Sequence, residues 1–490
     1  MKTAIIKKSA RRAADTPLQV EAFTTKRHPS PEIAGQFVFQ AGNRLDLHRL
    51  SIETMSEIAE HRQELRLDLS QFASLASRSL RPSEVDWLRV ALFCYAADRL
   101  ASRSPKGAGN YDHWSRRIKV TIPVADPKIW QVFREDVQDA LNYLTSDTWT
   151  LAFTLRNGEF EEEQQIQAPT IKSEPENVLL FSGGLDSLAG AVDLIANNSK
   201  NLLLVSGSTH NRLNCEQRDL AEALRRTTRN NVDHLICEYG LKGDQDKTRQ
   251  GRESTQRARG WIHVAFGLLA SHLVSNETLH LYENGIGAFN LSSTTAQLSG
   301  QNSLSVHPLF LNKISAVASG ILGNETHIVQ PSLFETKSAL LKRVFNTEEH
   351  RALIARSFSC ERFPNFPYKK SQCGKCPSCL VRRSSLFTAG MSDSGDDYQF
   401  DFLKNGLPGK LPLSQGYHSM NAYTRRISSC LAMTPSGSAL AWEYPELGLH
   451  LPGIGRATGL PEKQLLEKLG LLQDQFTDEW NAFSAQILAA

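Results

Sequence analysis

The sequence NVLLFSGGLDSLAGAVDLIANN, residues 177–198, carries the clearest fold signal in the chain. Residues 177–182 form a continuous apolar run that is typical of a buried strand. A pair of glycines follows, and from residue 188 onward apolar side chains recur at helical spacing. Glycines at this place permit positive φ angles and a close approach of the backbone to a ligand, so the pattern predicts a sharp strand-to-helix turn.

The same alternation of strand and helix continues along the middle of the chain. Further strands are predicted at 201–207, 232–240 and 278–284, with helices at 188–198, 214–226 and 254–274 between them. Short buried strands that alternate with helices indicate a parallel sheet covered on both faces. The predicted class is therefore α/β, in the order βαβαβαβ.

The glycine turn has the composition of a phosphate-binding loop. It lies at the carboxyl end of the first strand, where open α/β sheets bind ligands, and before a helix that begins near Leu185. Ser182 and Ser187 add hydroxyl groups, whereas Asp186 would repel an anion unless it held Mg²⁺ or oriented other groups. The signatures G-x-x-x-x-G-K-[ST] and G-x-G-x-x-G are both absent. A plain turn capped by serine or aspartate is the alternative.

The cysteines form a second pattern. Four of the eight lie close together, as Cys360, Cys373, Cys376 and Cys379 in the spacing C-x12-C-x2-C-x2-C. Four thiolates at such spacing can surround one tetrahedral Zn²⁺ ion, with a structural role. A redox C-x-x-C pair and an iron–sulfur cluster are the alternatives. The clustering indicates a metal site in a reducing cytoplasm rather than a framework of disulfides.

The string S-G-G-L-D-S resembles the PP-loop of the ATP pyrophosphatase superfamily, whose members cleave ATP to AMP and pyrophosphate. In that superfamily an oxygen of the substrate attacks the α-phosphorus, and a nitrogen or sulfur nucleophile then displaces the adenylate. The resemblance implies a site for ATP and Mg²⁺, with Asp186 and Ser187 as the catalytic pair. The implied pyrophosphate ligands are Ser182, Gly183, Gly184, Leu185, Asp186 and Ser187.

The PP-loop together with the cysteine pattern C-G-x-C-x-x-C-x-x-R resembles the 7-cyano-7-deazaguanine synthase (QueC) family of queuosine biosynthesis. The resemblance covers residues 176–390, and Arg382 fits the end of the cysteine pattern. It implies a PP-loop ATPase domain with a zinc knuckle. It also implies that a carboxylate on a 7-deazaguanine-like molecule is adenylated with ATP and Mg²⁺ and then passed to ammonia.

The resemblance assigns further site residues, each with an ordinary structural alternative. Arg257 or Arg259, near a helix start, would meet a phosphate or the substrate carboxylate, or would be an exposed arginine. Glu283 would bind the purine-like edge of the substrate, or would cap a helix. Lys337 follows Thr336 at a late helix start and would contact phosphate, or would be a solvated lysine.

One segment departs from the family. Residues 206–218 stand where the family has a substrate-contacting stretch after the second strand. Four side chains compete for the role, namely His210, Arg212, Gln217 and Arg218. The resemblance therefore specifies the adenylation chemistry more closely than it specifies the substrate or the acceptor nucleophile.

The chain is about twice as long as the synthase, and a three-part organisation is predicted. An α+β domain at residues 1–165 is expected to contain helices at 83–103 and 126–144 and strands at 117–124 and 148–155. An acidic linker at 157–177 precedes the PP-loop domain, and a mainly helical extension occupies 391–490. This architecture resembles QueC-like proteins of bacterial anti-phage operons (Qat type), which implies a protein acceptor or partner subunits.

Composition limits the remaining classes of function. The 490 residues carry a net charge of only +3, which argues against a protein that coats nucleic acid. The first thirty residues form a basic arm, which is a solvated tail or, alternatively, a contact to RNA, DNA or an acidic partner. No apolar run approaches the length of a membrane span and no secretory signal is recognised, so a cytoplasmic protein is expected.

Two other functions compete with the carboxylate-activating enzyme. A PP-loop tRNA-modifying thiolase or lysidine-type ligase would need a persulfide-carrying cysteine or a strongly basic RNA surface. A subunit that only senses nucleotide within a defence complex would keep the fold without the reaction. The intact Ser182, Asp186 and Ser187 argue against a decayed site, and they leave the sensor open as an alternative.

Overall fold

The polypeptide is described here by a computed structural model. The described residues are 35–38, 50–56, 59–101, 115–156, 171, 174–197, 199–241, 253, 255–291, 304–364, 372–374, 376–401, 404, 440–441 and 444–489. The predicted basic arm and most of the predicted acidic linker lie outside them, as does Cys430.

The described chain contains ten strands and fourteen α-helices. The strands are β1 Gly35–Val38, β2 Leu50–Ser56, β3 Ala59–Leu67, β4 Arg117–Val124, β5 Thr148–Leu155, β6 Asn177–Leu180, β7 Asn201–Ser208, β8 Asn231–Leu241, β9 Thr278–His280 and β10 His327–Val329. The helices are α1 Ser70–Ala76, α2 Pro82–Leu100, α3 Pro127–Val132, α4 Arg134–Thr145, α5 Leu185–Ala196, α6 Asn211–Thr228, α7 Arg259–Leu273, α8 Gly285–Phe289, α9 Pro308–Leu322, α10 Lys337–Val344, α11 Glu348–Ala352, α12 Pro377–Thr388, α13 Pro445–Thr458 and α14 Glu462–Ala489.

The central sheet has seven strands in the order β10-β9-β6-β7-β8-β3-β2. The five strands from β10 to β8 pair in parallel, and β3 and β2 continue the sheet in antiparallel pairing. Along the chain, β6 is followed by β7 and β8 on one side, and the chain then returns to β9 on the other side of β6. The predicted α/β class with a mainly parallel sheet is confirmed.

Alternating side chains of the strands build an apolar layer on each face of this sheet. On β7, Leu202 and Leu204 join the cluster that contains α5 and α6. Leu203 and Val205 join the opposite cluster, which contains α7. Because every second side chain of a strand points to the same face, helices on both sides are what bury this continuous apolar run.

The N-terminal elements extend the central sheet. β3 pairs with the end of β8, with Leu65 opposite Leu241. α2 packs on α7, where Trp87 donates from Nε1 to the carbonyl oxygen of Ala265 at 3.1 Å. A second sheet of three parallel strands is ordered β1-β4-β5. Residues 33–490 form one compact unit, and the predicted boundaries of the three domains stay predictions.

Most predicted elements are present, with adjusted ends. The predicted helix at 83–103 is α2, and the predicted helix at 126–144 is divided into α3 and α4 at Phe133. The predicted strand at 278–284 ends at His280. The predicted helix at 254–274 begins only at Arg259, and just before it the amide of Ala258 donates to Asp98. Within the described part of the chain, no helix is long and apolar enough to cross a membrane.

The predicted C-terminal helix is confirmed as α14. Its buried face is apolar and follows helical spacing. The side chains of this face are Leu465, Leu469, Leu472, Phe476, Trp480 and Phe483. This face packs on three other helices, α8, α12 and α13.

Candidate functional site

The glycine loop lies where the order in which strands are added to the central sheet reverses. It follows β6, whose two neighbours β7 and β9 are reached by chain segments that run to opposite sides. A crevice forms at the carboxyl ends of strands at such a topological switch point, and open α/β proteins bind ligands there. The sequence predicted a strand end at this place, and the pairing of β9 beside β6 makes it a switch point.

The backbone of the loop turns sharply at Gly183 and enters α5 without a side-chain cap. Gly183 adopts a φ of +85°, and Gly184 is the N-cap of α5, with no side chain capping this helix. Among the described residues, no acceptor takes up the backbone N–H groups of Leu185, Asp186 or Ser187. A helix with a side-chain cap would have used at least one of these donors, so neither serine nor aspartate caps α5, and phosphate binding by this loop stays a prediction.

The two serines of the loop bind each other and the backbone. The hydroxyl oxygens of Ser182 and Ser187 are 3.1 Å apart. The amide of Gly184 donates to Ser182 Oγ at 3.2 Å, and Ser187 Oγ donates to the carbonyl oxygen of Gly184 at 3.0 Å. These bonds hold both hydroxyl groups beside the free amides of the first turn of α5.

Phe358 closes one side of the loop. Its amide donates to the carbonyl oxygen of Gly183 at 3.0 Å. A Cβ added to Gly183 would lie 2.3 Å from Cζ of the Phe358 ring. The position therefore requires glycine for two separate reasons, the positive φ angle and the contact with the ring.

The stability losses of Gly183→Ala and Gly323→Ala can be compared to distinguish the effect of the ring contact from the effect of the positive φ angle. Gly323 has nearly the same φ of +84° at the end of α9, but a Cβ there would meet nothing within 4 Å. We expect Gly183→Ala to lower the free energy of unfolding by about 1–3 kcal/mol more than Gly323→Ala does, because only the former overpacks the core. Urea denaturation of both variants measures this difference, and equal losses would contradict the close packing of Phe358.

Asp186 is part of a buried group of charges. Lys337 Nζ lies 2.5 Å from Asp186 Oδ2, and both side chains are one-tenth exposed. Asn284 donates to Asp186 Oδ1 from its backbone amide at 3.3 Å and from Nδ2 at 3.0 Å. Asn284 Nδ2 also lies 2.8 Å from Oε1 of Glu283. Three segments distant in sequence thus converge at the start of α5.

The charges in this group alter one another's protonation. Burial, together with the negative charge of Asp186, raises the pKa of Glu283 to about 8, so this carboxyl group keeps its proton to a higher pH than an ordinary glutamate does. Burial alone would favour the neutral form of Lys337. However, the negative charge of Asp186, and that of Glu283 when it is ionised, raise the pKa of Lys337 above its usual value. The group therefore holds an ammonium ion, a carboxylate and a carboxyl group that can give up or accept a proton near neutrality.

Arg382 supplies a second buried cation. It belongs to α12 and is 2 % exposed. Its guanidinium donates to the carbonyl oxygen of Ile354 at 2.8 Å and to Ser357 Oγ at 2.7 Å. Within the described part of the chain no carboxylate pairs with it, and its Nε has no partner. The segment that accepts these hydrogen bonds continues directly into Phe358, which packs on Gly183. The unpaired positive charge of Arg382 therefore lies near the glycine loop.

The four clustered cysteines form a candidate metal centre. Their sulfur atoms all lie within 4.8 Å of one another, and all four side chains are buried without a disulfide. The Sγ atoms of Cys373 and Cys379 are 3.9 Å apart, and so are those of Cys360 and Cys376. Sulfurs bound to one tetrahedral Zn²⁺ at ~2.3 Å lie ~3.8 Å from each other, so the arrangement fits that ion.

The backbone around the cysteines favours thiolate ligands. Cys376 is the N-cap of α12 and Pro377 is its first residue, so the positive end of the helix faces the sulfurs. The amide of Cys376 donates to Cys373 Sγ at 3.3 Å. Gly374 has a φ of +74°, and a Cβ there would lie 2.0 Å from the carbonyl oxygen of Phe400. The buried cluster can therefore hold a metal such as zinc.

The other predicted site residues lie in different surroundings. Lys337 is buried against Asp186, which rules out the solvated lysine. Asn284, and not Glu283, caps α8. Arg259 is exposed as the first residue of α7. Arg257 is buried and donates to the carbonyl oxygen of Thr145 at 2.9 Å, so the part of either arginine in phosphate binding stays a prediction.

Of the four residues that competed in the segment after β7, Gln217 lies next to the loop. Its Nε2 donates to the carbonyl oxygen of Ser182 at 3.1 Å, and its buried Oε1 has no partner among the described residues. His210 caps α6, and the guanidinium of Arg212 lies 4.9 Å from the ring centre of Phe363. Arg218 is exposed on α6.

Sequence reasoning missed two residues of the site. Asn284 stands next to the predicted Glu283, and its position before a short glycine-containing helix was a usable N-cap signal. Phe358 had no signal of its own, because its importance comes from the glycine that it contacts far away in sequence.

Comparison with known proteins identifies no family for this chain. A scan of the sequence against models of protein families found no match. A search of curated proteins found no significant match either. What the chain does must therefore be inferred from its own residues and motifs.

Proposed function

We propose that this chain is an ATP-dependent, AMP-forming enzyme of the PP-loop type. In this proposal it adenylates a carboxylate on a 7-deazaguanine-like substrate and passes the product to a nitrogen nucleophile. The observation that carries the proposal is the uncapped glycine loop at the switch point of the sheet, with Asp186 paired to Lys337 inside it.

The charges around the loop suit a polyphosphate. Several hydrogen-bond donors surround the loop. They are the free amides at the start of α5, the hydroxyl groups of Ser182 and Ser187, the ammonium group of Lys337 and the guanidinium group of Arg382. An anion in this position gains from the helix dipole and from cations shielded from water. The unmatched charge of Arg382 in particular favours a negatively charged ligand over an empty structural turn.

A single carboxylate among these donors points to a metal–nucleotide complex. Asp186 offers the oxygen ligands that Mg²⁺ prefers, and the ion would neutralise charge on the pyrophosphate that leaves. Lys337 at present balances the charge of Asp186. When nucleotide binds, the ammonium group can turn toward a phosphate oxygen because its stem lies at the start of a helix facing the loop.

The substrate class depends on Glu283 and on the resemblance to the deazaguanine family. While it is protonated, the Glu283 carboxyl group can donate a hydrogen bond, and its oxygens can also accept one. A group with both capacities suits the edge of a purine-like base, which carries both donors and acceptors. In its ionised form, the same carboxylate would take up the proton that the nitrogen nucleophile loses as it displaces AMP.

The zinc site would be structural in this proposal. All four thiolates are committed to the cluster, which leaves no open position for a substrate. Its role would be to fix α12, which carries Arg382, and the segment that contains Phe358, which packs on the loop. A place in an anti-phage operon, with a protein acceptor or partner subunits, belongs to the same proposal and rests on the resemblance alone.

The products formed from ATP test this proposal. Purified protein is incubated with Mg-ATP, 7-carboxy-7-deazaguanine and ammonium chloride as the nitrogen nucleophile, and the nucleotide products are separated by ion-exchange chromatography. We expect AMP and pyrophosphate in equal amounts, formed only when the deazaguanine is present. Release of ADP would overturn the PP-loop mechanism, and binding of ATP without any product would identify a nucleotide sensor instead.

A further inference from the structure

The C-terminal helix α14 reaches the same residues that build the proposed ATP site. Leu472 of α14 would be only 2.5 Å from a Cβ on Gly285, the residue that follows Asn284. Phe483 of α14 lies against Phe387 of α12, with ring centres 5.7 Å apart. The helix thus contacts two elements that carry site residues, the loop after β9 and the helix of Arg382.

A third contact is polar and involves the start of α10. Thr336 is the N-cap of α10 and is fully buried. Its hydroxyl donates to Oε1 of Glu479 on α14 at 2.6 Å. It accepts from the amide of Ala339 at 3.2 Å and from Nε2 of Gln475 at 3.1 Å. The hydroxyl oxygen of Ser338 also lies 3.2 Å from it, so the hydrogen-bonding capacity of the Thr336 hydroxyl is used entirely within the protein.

The residue that follows this capped threonine is Lys337. Its ammonium group meets Asp186 at 2.5 Å, so the direction in which α10 begins decides where this cation lies. Glu479 is 8 % exposed and buried among apolar neighbours of α14. A buried carboxylate needs hydrogen bonds, and its described bonds come from Thr336 and Gln475.

We propose that Glu479 and Thr336 are positioning residues of this site, and that α14 holds the Lys337 ammonium group on Asp186 by fixing the N-cap of α10. The inference deepens the proposed function, on which its catalytic meaning rests. The placement of Lys337 by α14 can nevertheless be tested without nucleotide. In this arrangement the C-terminal extension is a component of the site, and whatever displaces α14 changes the site.

The first test measures how accessible Lys337 is. The full-length chain and its variants are treated briefly with acetic anhydride, and acetylation of Lys337 is quantified by mass spectrometry. We expect Glu479→Ala to raise the rate of acetylation about tenfold, the equivalent of one lost buried hydrogen bond. Thr336→Val, which keeps the shape of the side chain but removes the hydroxyl, should give a similar rise.

Two variants serve as controls. Asp478 is the exposed neighbour of Glu479 on α14, so Asp478→Ala should leave the rate at the wild-type value. Glu479→Gln keeps an oxygen that accepts from Thr336 and should restore most of the protection. If Glu479→Ala does not fold, as judged by thermal denaturation, Thr336→Val carries the test. Wild-type acetylation rates in folded Glu479→Ala and Thr336→Val would overturn the inference.

The second test separates this inference from the proposed function. In the AMP-forming assay, we expect Glu479→Ala to raise KM for Mg-ATP about tenfold and to lower kcat less, because a displaced lysine weakens phosphate binding first. If Lys337 becomes accessible but even the wild-type chain forms no AMP, the proposed function fails and the positioning role stands. If AMP forms and Glu479→Ala changes neither KM nor acetylation, only the positioning role fails.

Discussion

Replacing Asp186 by alanine is expected to reduce the formation of AMP by roughly 10³-fold, the size of effect seen when a group that stabilises transition-state charge is removed. The substitution also leaves the Lys337 ammonium group buried beside Glu283 without its principal partner. Losing one member of a buried ion pair costs about 3 kcal/mol of stability. The measurements are AMP release under saturating Mg-ATP and urea denaturation of the same preparation.

A double variant distinguishes the chemical effect of Asp186 from its effect on stability. Asp186→Ala combined with Lys337→Met removes both charges, so no unpaired ammonium group remains. Replacing both partners of a buried pair by apolar groups is often close to neutral. We expect the double variant to recover much of the lost stability and none of the activity. Recovery of activity together with stability would mean that Asp186 has only a structural role.

Replacing Cys379 by serine is expected to abolish stoichiometric metal binding. The wild-type chain should contain one zinc ion per molecule by inductively coupled plasma mass spectrometry, since four buried sulfurs surround one position. Structural zinc contributes directly to folding, so we expect the melting temperature to fall by more than about 5 °C. AMP formation should fall as well, because α12 begins at the cluster and carries Arg382.

The exposed Cys215 provides a matched control for this substitution. It lies on α6 and is not part of the buried cluster. Cys215→Ser should keep one zinc ion per chain, the wild-type melting temperature and full activity. Zinc retained in Cys379→Ser would contradict a four-thiolate site. Iron and a visible absorption band in the wild-type protein would instead identify an iron–sulfur cluster.

The local pattern of the sequence was sufficient for the architecture around the site. Continuous apolar runs predicted the parallel strands, and the glycine pair predicted the turn after β6. The element ends were less determined. The helix that contains Trp261 begins at Arg259 and not at 254, with Asp98 of α2 accepting from the amide of Ala258 just before it. A side chain from a distant helix cannot be seen in a local pattern.

The metal centre was the part of the site that the sequence specified best. Cys373, Cys376 and Cys379 are close in sequence, so their spacing alone brings three sulfurs together. Cys360 joins them in the buried cluster across a longer spacer. The proposed ATP site differs, since Asp186, Glu283 and Lys337 are about one hundred and fifty residues apart at the extremes.

The α/β class, the glycine loop and the four-cysteine cluster were all predicted from local patterns, because each pattern is made of residues that are near one another along the chain. Three contacts could be recognised only in the folded chain: Lys337 pairs with Asp186, Phe358 packs on Gly183, and α14 supplies Glu479 to the start of α10. These contacts join segments that are far apart in sequence and are brought close in space by the packing of helices around the sheet. The physical reason is that burial in a shared core brings such residues together, and no local spacing records it.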